Sequence, residues 1–363
     1  MDPSSYIKSN HFLARRVRLS SIVKVLAFAL VSIGICGGCQ KTPPNVSSLH
    51  QMSPKRHSNP AILQSATLTN LSATFTASMT AKSVLGDPSN GPKVTNRKPN
   101  PYGYVFVPMF HHLGKGHGNM GMRSLYVTPS QFLKFLSQLD QLGFRPVIAQ
   151  DYLTGHMHLA PGATPVVMTF DDSNPDQLQM DKNGHVTPDC FVGLWMKFAK
   201  THPEFPVHGT FFCLPGEMFG QHSFLSEKVK LLESLGSELA NHTMTHPFLS
   251  RLTDEEVERE IGGGALHLMD INEPNPSPLA LPYGVAPRNK KLYSGFDYKG
   301  KKILLTGVFL VGSAPAPSPF SKNFRRFHVN RIDGSTIPGG LEYWLNRVKY
   351  HHLKVYVQGS KSG

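Results

Sequence analysis

Acidic residues are scarce at the start of this 363-residue chain. The first 100 residues hold two, Asp2 and Asp87, against 12 Lys and Arg, so they carry +10 of the chain's net +13. The other 263 residues hold 25 basic and 22 acidic side chains, a net of +3. A nucleic-acid-binding domain needs basic excess on its folded part to neutralise phosphates, and here the excess lies elsewhere. Cysteine is scarce too, and four residues exclude a disulfide-dense scaffold. The apolar run 25–35 falls short of the roughly 20 residues that a membrane-spanning helix needs. What is present is an apolar fraction of 40%, which excludes a wholly disordered chain, and enough length for one large domain or two small ones. Eighteen His also stand out, because imidazole serves as metal ligand and as acid or base.

The chain divides into three parts. Lys8, Arg15, Arg16, Arg18 and Lys24 precede the short apolar run, the layout of an export signal. The run ends Ile35-Cys36-Gly37-Gly38-Cys39, which is similar to a bacterial lipobox with Cys39 as the lipidated residue; an ordinary signal peptide or an uncleaved anchor fits the same residues. Residues 1–39 are therefore read as a signal segment. Residues 40–101, rich in Ser, Thr, Pro and Asn, read as a disordered tether. Residues 102–363 read as the folded domain. Strand-length apolar runs (104–110, 164–170, 208–212, 238–239, 279–281, 303–305, 309–311, 354–357) alternate with helical patterns (129–142, 190–200, 226–235, 253–268, 339–349). Thr128 and Thr253 are candidate N-caps, and Gly262 to Gly264 interrupt the last but one helix. This alternation predicts an α/β fold, a barrel or distorted barrel of parallel strands.

Four constellations carry chemistry. Val166, Val167 and Met168 run into Thr169-Phe170-Asp171-Asp172, so two carboxylates end a strand, where α/β folds build active sites. Adjacent like charges held in a cleft need a cation or a shared proton, although Asp-Asp-Ser-Asn-Pro also makes a good surface turn. Asn241-His242-Thr243-Met244-Thr245-His246 places two imidazoles at a spacing that lets both reach one ion, although solvated loop histidines fit it as well. One carboxylate with two His makes a three-ligand site with open positions, which leaves the other carboxylate as a general base. Leu281-Pro282-Tyr283-Gly284 is a strand-end turn able to present a backbone N–H to an oxyanion. Pro108-Met109-Phe110-His111-His112 ends a strand in paired His, read as a rim acid or a structural pair.

Together these motifs resemble the polysaccharide deacetylase family, the NodB homology domain of carbohydrate esterase family 4, across about residues 104–335. The resemblance implies Asp171 as base, Asp172, His242 and His246 as metal ligands, and Tyr283 as the donor of an oxyanion N–H. It also implies a divalent cation, Zn2+ before Co2+ or Ni2+, that activates a water for attack on an acetyl group. The chain departs from the common pattern at three places. Ser173 stands where Gly is usual, Ala280 stands where an Arg usually pairs with the base, and no late Leu-x-Leu-x-His supplies the acid. Circularly permuted exopolysaccharide deacetylases carry that His on the first strand, and by this resemblance His111 is the acid. Arg331, in Val329-Asn330-Arg331-Ile332, is the candidate replacement for the missing Arg, and with Pro282 it is assigned to substrate contact.

The resemblance implies an enzyme acting on an acetylated polysaccharide; the N-terminal segment adds export and a membrane anchor at the cell envelope, and the charge balance of the folded part argues against a nucleic-acid partner. Two alternatives stand beside it. One is a weakened member that binds carbohydrate without hydrolysis, for which Ala280 argues. The other is an acetylxylan esterase or peptidoglycan amidase on the same scaffold. Export permits a Cys190–Cys213 disulfide, and two separate buried thiols fit equally well.

Overall fold

The computed structural model describes residues 94–271 and 276–360. Seven short strands form its sheet: β1 (Pro108–Phe110), β2 (Met168–Asp171), β3 (Gly209–Cys213), β4 (Glu238–Asn241), β5 (Pro278–Ala280), β6 (Gly307–Phe309) and β7 (Ile332–Asp333). All pairings are parallel, in the order β6-β5-β4-β3-β2-β1-β7. The stretch entering β7 closes this sheet on itself. Phe309 of β6 bridges Val329, and the Leu310 N–H donates to the Val329 carbonyl. Three residues later the Ile332 N–H donates to the Val107 carbonyl, leading into β1. One stretch of chain therefore serves both edges, and the result is a distorted seven-stranded barrel.

Side chains alternate along a strand, so each barrel strand has an inner and an outer row. Val167, Phe212, Ala240, Ala280, Phe309 and Val329 pack together inside. Met168, Phe170, Phe211, Leu239 and Ile332 pack outward. They meet α1 (Pro129–Gln141), α2 (Phe191–Ala199), α3 (Leu225–Ser234), α4 (Asp254–Asp270) and α5 (Leu341–Lys349) through residues such as Phe135, Trp195, Leu232, Leu268 and Leu345. Phe170 stacks on Phe211 with ring centroids 4.7 Å apart. Burying each such ring contributes about 1.5–3 kcal/mol. By the same alternation the inner row of β2 continues from Val167 through Thr169 to Asp171, and that of the stretch entering β7 from Val329 to Arg331. The barrel mouth at the strands' C-terminal ends therefore inherits the chemistry.

Several local expectations change. The glycines of α4 do not interrupt it, because they are contact points. A Cβ on Gly262 would lie 2.6 Å from the Tyr298 ring, and one on Gly264 would lie 2.5 Å from Asn241 Oδ1. Residues 301–303 pair with 296–298 in a separate antiparallel hairpin and not in the barrel. The run 164–170 divides into two strands, the first paired to Phe144–Pro146, a strand the sequence reading passed over. Residues 94–101, read as tether, are bound to the domain: Thr95 Oγ1 donates to the Gly162 carbonyl and Asn100 bridges Val357. Cys190 and Cys213 are not joined; the Cys190 thiol instead caps α2 by accepting from the Gly193 N–H. Both Thr caps form, and each cap's own N–H donates in return to the side-chain oxygen of Gln131 or Glu256. The signal segment, Cys39 and most of the tether lie outside the described residues. Among the described residues no helix is long and apolar enough to cross a membrane.

Candidate active site

The mouth of the barrel holds two linked clusters. The deeper one centres on Asp171, at the end of β2 and buried. Arg331 grips its carboxylate from both sides, with Nη1 donating to Oδ1 at 2.6 Å and Nη2 to Oδ2 at 2.7 Å. Arg331 is itself fully buried; its Nε donates to the Leu310 carbonyl and its guanidinium lies over the Phe212 ring. The bidentate geometry is the strong form of this pair. Burial pushes the Asp171 carboxyl up, but the Arg331 charge and hydrogen bonds, together with His242 and His111, outweigh it and hold the group below the ordinary carboxylate range. Asp171 Oδ2 also faces His111 Nε2 at 3.8 Å and His242 Nε2 at 3.9 Å, beyond hydrogen-bond length.

The outer cluster centres on Asp172, one residue on. Its Oδ1 faces His242 Nε2 at 3.3 Å and His246 Nε2 at 3.6 Å. His242 Nδ1 lies 2.9 Å from the Ala280 carbonyl, which can only accept, so Nδ1 carries a proton and Nε2 turns toward the carboxylates. Asp172 Oδ1 and His242 Nε2 are buried and have no hydrogen-bond partner. Ligand atoms of Asp172, His242 and His246 all lie within 4.8 Å of one another. A carboxylate and two imidazoles suit Zn2+ or a similar divalent ion, and orphaned polar atoms are what such an ion would satisfy. The residues therefore fit the group. Burial pushes His242 down, yet the two carboxylates raise it overall; Asp172 is held low by His242 and the other imidazoles despite burial. His111 and His246 are both lowered, chiefly by burial.

The backbone here is bent to purpose. Asp172 (φ 73°), Ser173 (φ 50°), Thr243 (φ 70°), His246 (φ 57°) and Tyr283 (φ 57°) all occupy the left-handed region that non-glycine residues avoid. Ser173 shows how a side chain stabilises this conformation: its hydroxyl donates to the Asp172 carbonyl and accepts from the Leu214 N–H. The Tyr283 backbone follows β5, and its half-exposed ring stacks on Phe248 at 4.0 Å and meets His246 at 4.6 Å.

Six of the residues singled out from sequence come together: His111, Asp171, Asp172, His242 and His246 at the mouth, with Tyr283 against His246. Arg331 joins them, but not in the role of substrate contact assigned to it. It has no exposed surface, and its donors are committed to Asp171, Thr169 and Leu310. Pro282 is buried as well, under the turn whose exposed residue is Tyr283, so it offers no face to a substrate. Sequence reasoning missed Glu260 and Gln177. Glu260, on α4, accepts from the Met244 and Thr245 N–H groups and the Thr245 hydroxyl, which holds the two-His loop. Gln177 donates to the Asp171 and His111 carbonyls and ties β2 to β1. The one signal for Glu260 was an acid on a helix following the two-His loop, and nothing marked Gln177.

The sequence model of the polysaccharide deacetylase family matches residues 159–299. That stretch includes Asp171, Asp172, His242, His246 and Tyr283, while His111 and Arg331 lie on either side of it. A polysaccharide deacetylase from Bacillus cereus is similar in fold, at 17% identity and TM-score 0.50, over 68% of this chain and 69% of that one. A Bacillus anthracis protein assigned to the same class matches at 18% identity and TM-score 0.48, over 64% of this chain. IcaB from Ammonifex degensii matches at 18% identity and TM-score 0.42, over 68% of this chain and 98% of its own length. This chain spans 65% of the Bacillus anthracis protein, less than two thirds of its length.

Proposed function

We propose, from the premise that this chain carries a polysaccharide deacetylase domain, that it is a metal-dependent hydrolase removing acetyl groups from an N-acetylated polysaccharide. One observation carries the reading: two buried, partnerless ligand atoms, Asp172 Oδ1 and His242 Nε2, face each other with His246 alongside. Bound by Asp172, His242 and His246, a divalent cation, Zn2+ by its donor set, supplies Lewis acidity to water and to the acetyl carbonyl. Asp171 then takes the proton of the attacking water on Oδ2, the oxygen that faces the imidazoles. Arg331 keeps that carboxylate ionised and fixed in the buried mouth, so its form does not depend on bulk pH near neutrality. The Tyr283 N–H, carried on a left-handed turn, donates to the developing oxyanion. His111 gives a proton to the leaving amine, or to the sugar oxygen where the acetyl group is an ester. Acetate and the deacetylated sugar leave.

Arg331 also bears on the alternative of a carbohydrate-binding module without hydrolysis. That alternative rested on Ala280 leaving the base without its Arg, and the Arg331 guanidinium, from the stretch entering β7, pairs with the base instead. Acetate release from N-acetylglucosamine polymers, peptidoglycan and acetylated xylan, with and without chelator, tests the reading. Release that a chelator stops and Zn2+ restores is expected; absence of release from all three, or release indifferent to chelation, contradicts it. We place the enzyme outside the cytoplasm, held at a membrane by lipid on Cys39. Fatty-acid labelling lost in Cys39→Ser is the expected result, and labelling retained in that variant overturns it.

A further inference from the structure

Next to the mouth lies a cavity of about 460 Å³ that the proposed chemistry does not use. It is formed by the segment after β1, the start of α1 and the segment after β7, so the chain that follows His111 and the chain that follows Arg331 both lead into its walls. Its titratable lining is one-signed: Lys115, His117 and Arg123, with no carboxylate. Among the described residues none of these three forms an ion pair. Of the nearby acids, Asp176 accepts from the Leu113 N–H and pairs with His112 through Oδ2, and Asp333 interacts with Ser335 and Ser124. The Oδ1 of each is buried without a hydrogen-bond partner, and neither acid forms an ion pair with any of the three cations. Half-exposed Met120 and the ring of Tyr126 add apolar surface, and Tyr126 is held by stacking on His112 at 4.8 Å.

We propose that this cavity is a subsite for an anionic substituent, a carboxylate or phosphate, on the glycan that the neighbouring mouth deacetylates. The apolar wall takes the face of a sugar ring, and Arg123 and Lys115 take the charge, Arg123 in the two-pronged manner that suits planar oxyanions. The subsite rests on the deacetylase reading for its substrate, but its binding does not need turnover.

The test is equilibrium binding, in chelator, of a uronate-bearing N-acetylglucosamine oligomer and an uncharged oligomer of equal length. Wild type and the Lys115→Gln/Arg123→Gln double variant are compared, with circular dichroism to check that both are folded. The charged oligomer is expected to bind wild type about fivefold more tightly, the scale of two partly exposed ion pairs, and less so at high salt. The double variant is expected to lose that preference while binding the uncharged oligomer as before. Equal binding of both oligomers by wild type, or a preference that survives the double substitution, overturns the proposal. Inorganic phosphate as a third ligand separates the sources. If it binds wild type but not the double variant while the charged oligomer shows no advantage, the cavity takes free anions and the subsite is wrong. If the charged oligomer is preferred but no glycan releases acetate, the deacetylase reading fails and the subsite stands.

Discussion

Asp171 and Asp172 are neighbours in the chain and opposites in their surroundings. Asp171 is enclosed and finished: both oxygens accept from a buried guanidinium, and the imidazoles stand off at 3.8 and 3.9 Å. Asp172 is nearer the surface and unfinished, with an orphaned oxygen facing an orphaned nitrogen. A buried ion pair with complete hydrogen bonding needs no ligand. A carboxylate among two imidazoles, with donors and acceptors left over, needs a cation or a proton. The same dipeptide thus yields a fixed base and an ion-binding arm, and the difference comes from which strand each side chain meets. Asp171 follows the inner row of β2 toward β7, while the left-handed turn at Asp172 swings its carboxylate toward the two-His loop.

Breaking the comparison at its centre gives the largest effect. Asp171→Asn is expected to lower the rate of acetate release by about 10²–10⁴, the range for losing a positioned base, while the bound cation is retained. Steady-state kinetics and metal content check it. Arg331→Met should come next, costing about 3–5 kcal/mol because it leaves a buried charge uncompensated. Its pH dependence should also flatten. In wild type the Asp171 carboxyl is held low, so the pair contributes stability above about pH 4 that is lost as pH falls through the folded value. Without Arg331, burial is opposed only by His242 and His111, so the carboxyl is no longer held as low and the variant gains less stability as pH rises through about pH 4. Urea unfolding across that interval distinguishes the two slopes.

The outer cluster answers to a gentler change. Glu260→Gln should free the two-His loop and weaken cation affinity about 10–100-fold, the usual cost of losing a group that orients ligands. Competition with a chromophoric chelator measures it, and the Asp171–Arg331 pair should be unaffected. Thr253→Ala is the smallest. It removes the cap of α4 for about 1 kcal/mol of stability and leaves both clusters in place, which thermal unfolding together with unchanged kinetics would establish.

Much of this was legible in the sequence, for identifiable reasons. Alternating apolar runs announced the barrel, and the Asp pair and His pair announced themselves by type and spacing. Harder to read was whatever depends on two distant strands meeting. Arg331 sits 160 positions from Asp171, and only closure of the barrel through residues 329–333 brings them together. Nothing local to Arg331 distinguishes a residue that holds the base from one that touches substrate. The glycines of α4 misled because their local cost is plain in sequence while the close packing against Tyr298 and Asn241 that favours them is not. Gln177 was invisible because its partners are backbone carbonyls.

The contrast between the two carboxylates is tested most directly by metal analysis. Wild type, Asp171→Asn and Asp172→Asn are each dialysed against Zn2+, then against buffer, and their metal content is measured. The account predicts one equivalent in wild type and in Asp171→Asn, and none in Asp172→Asn. No metal in wild type, or equal loss in both variants, would contradict it.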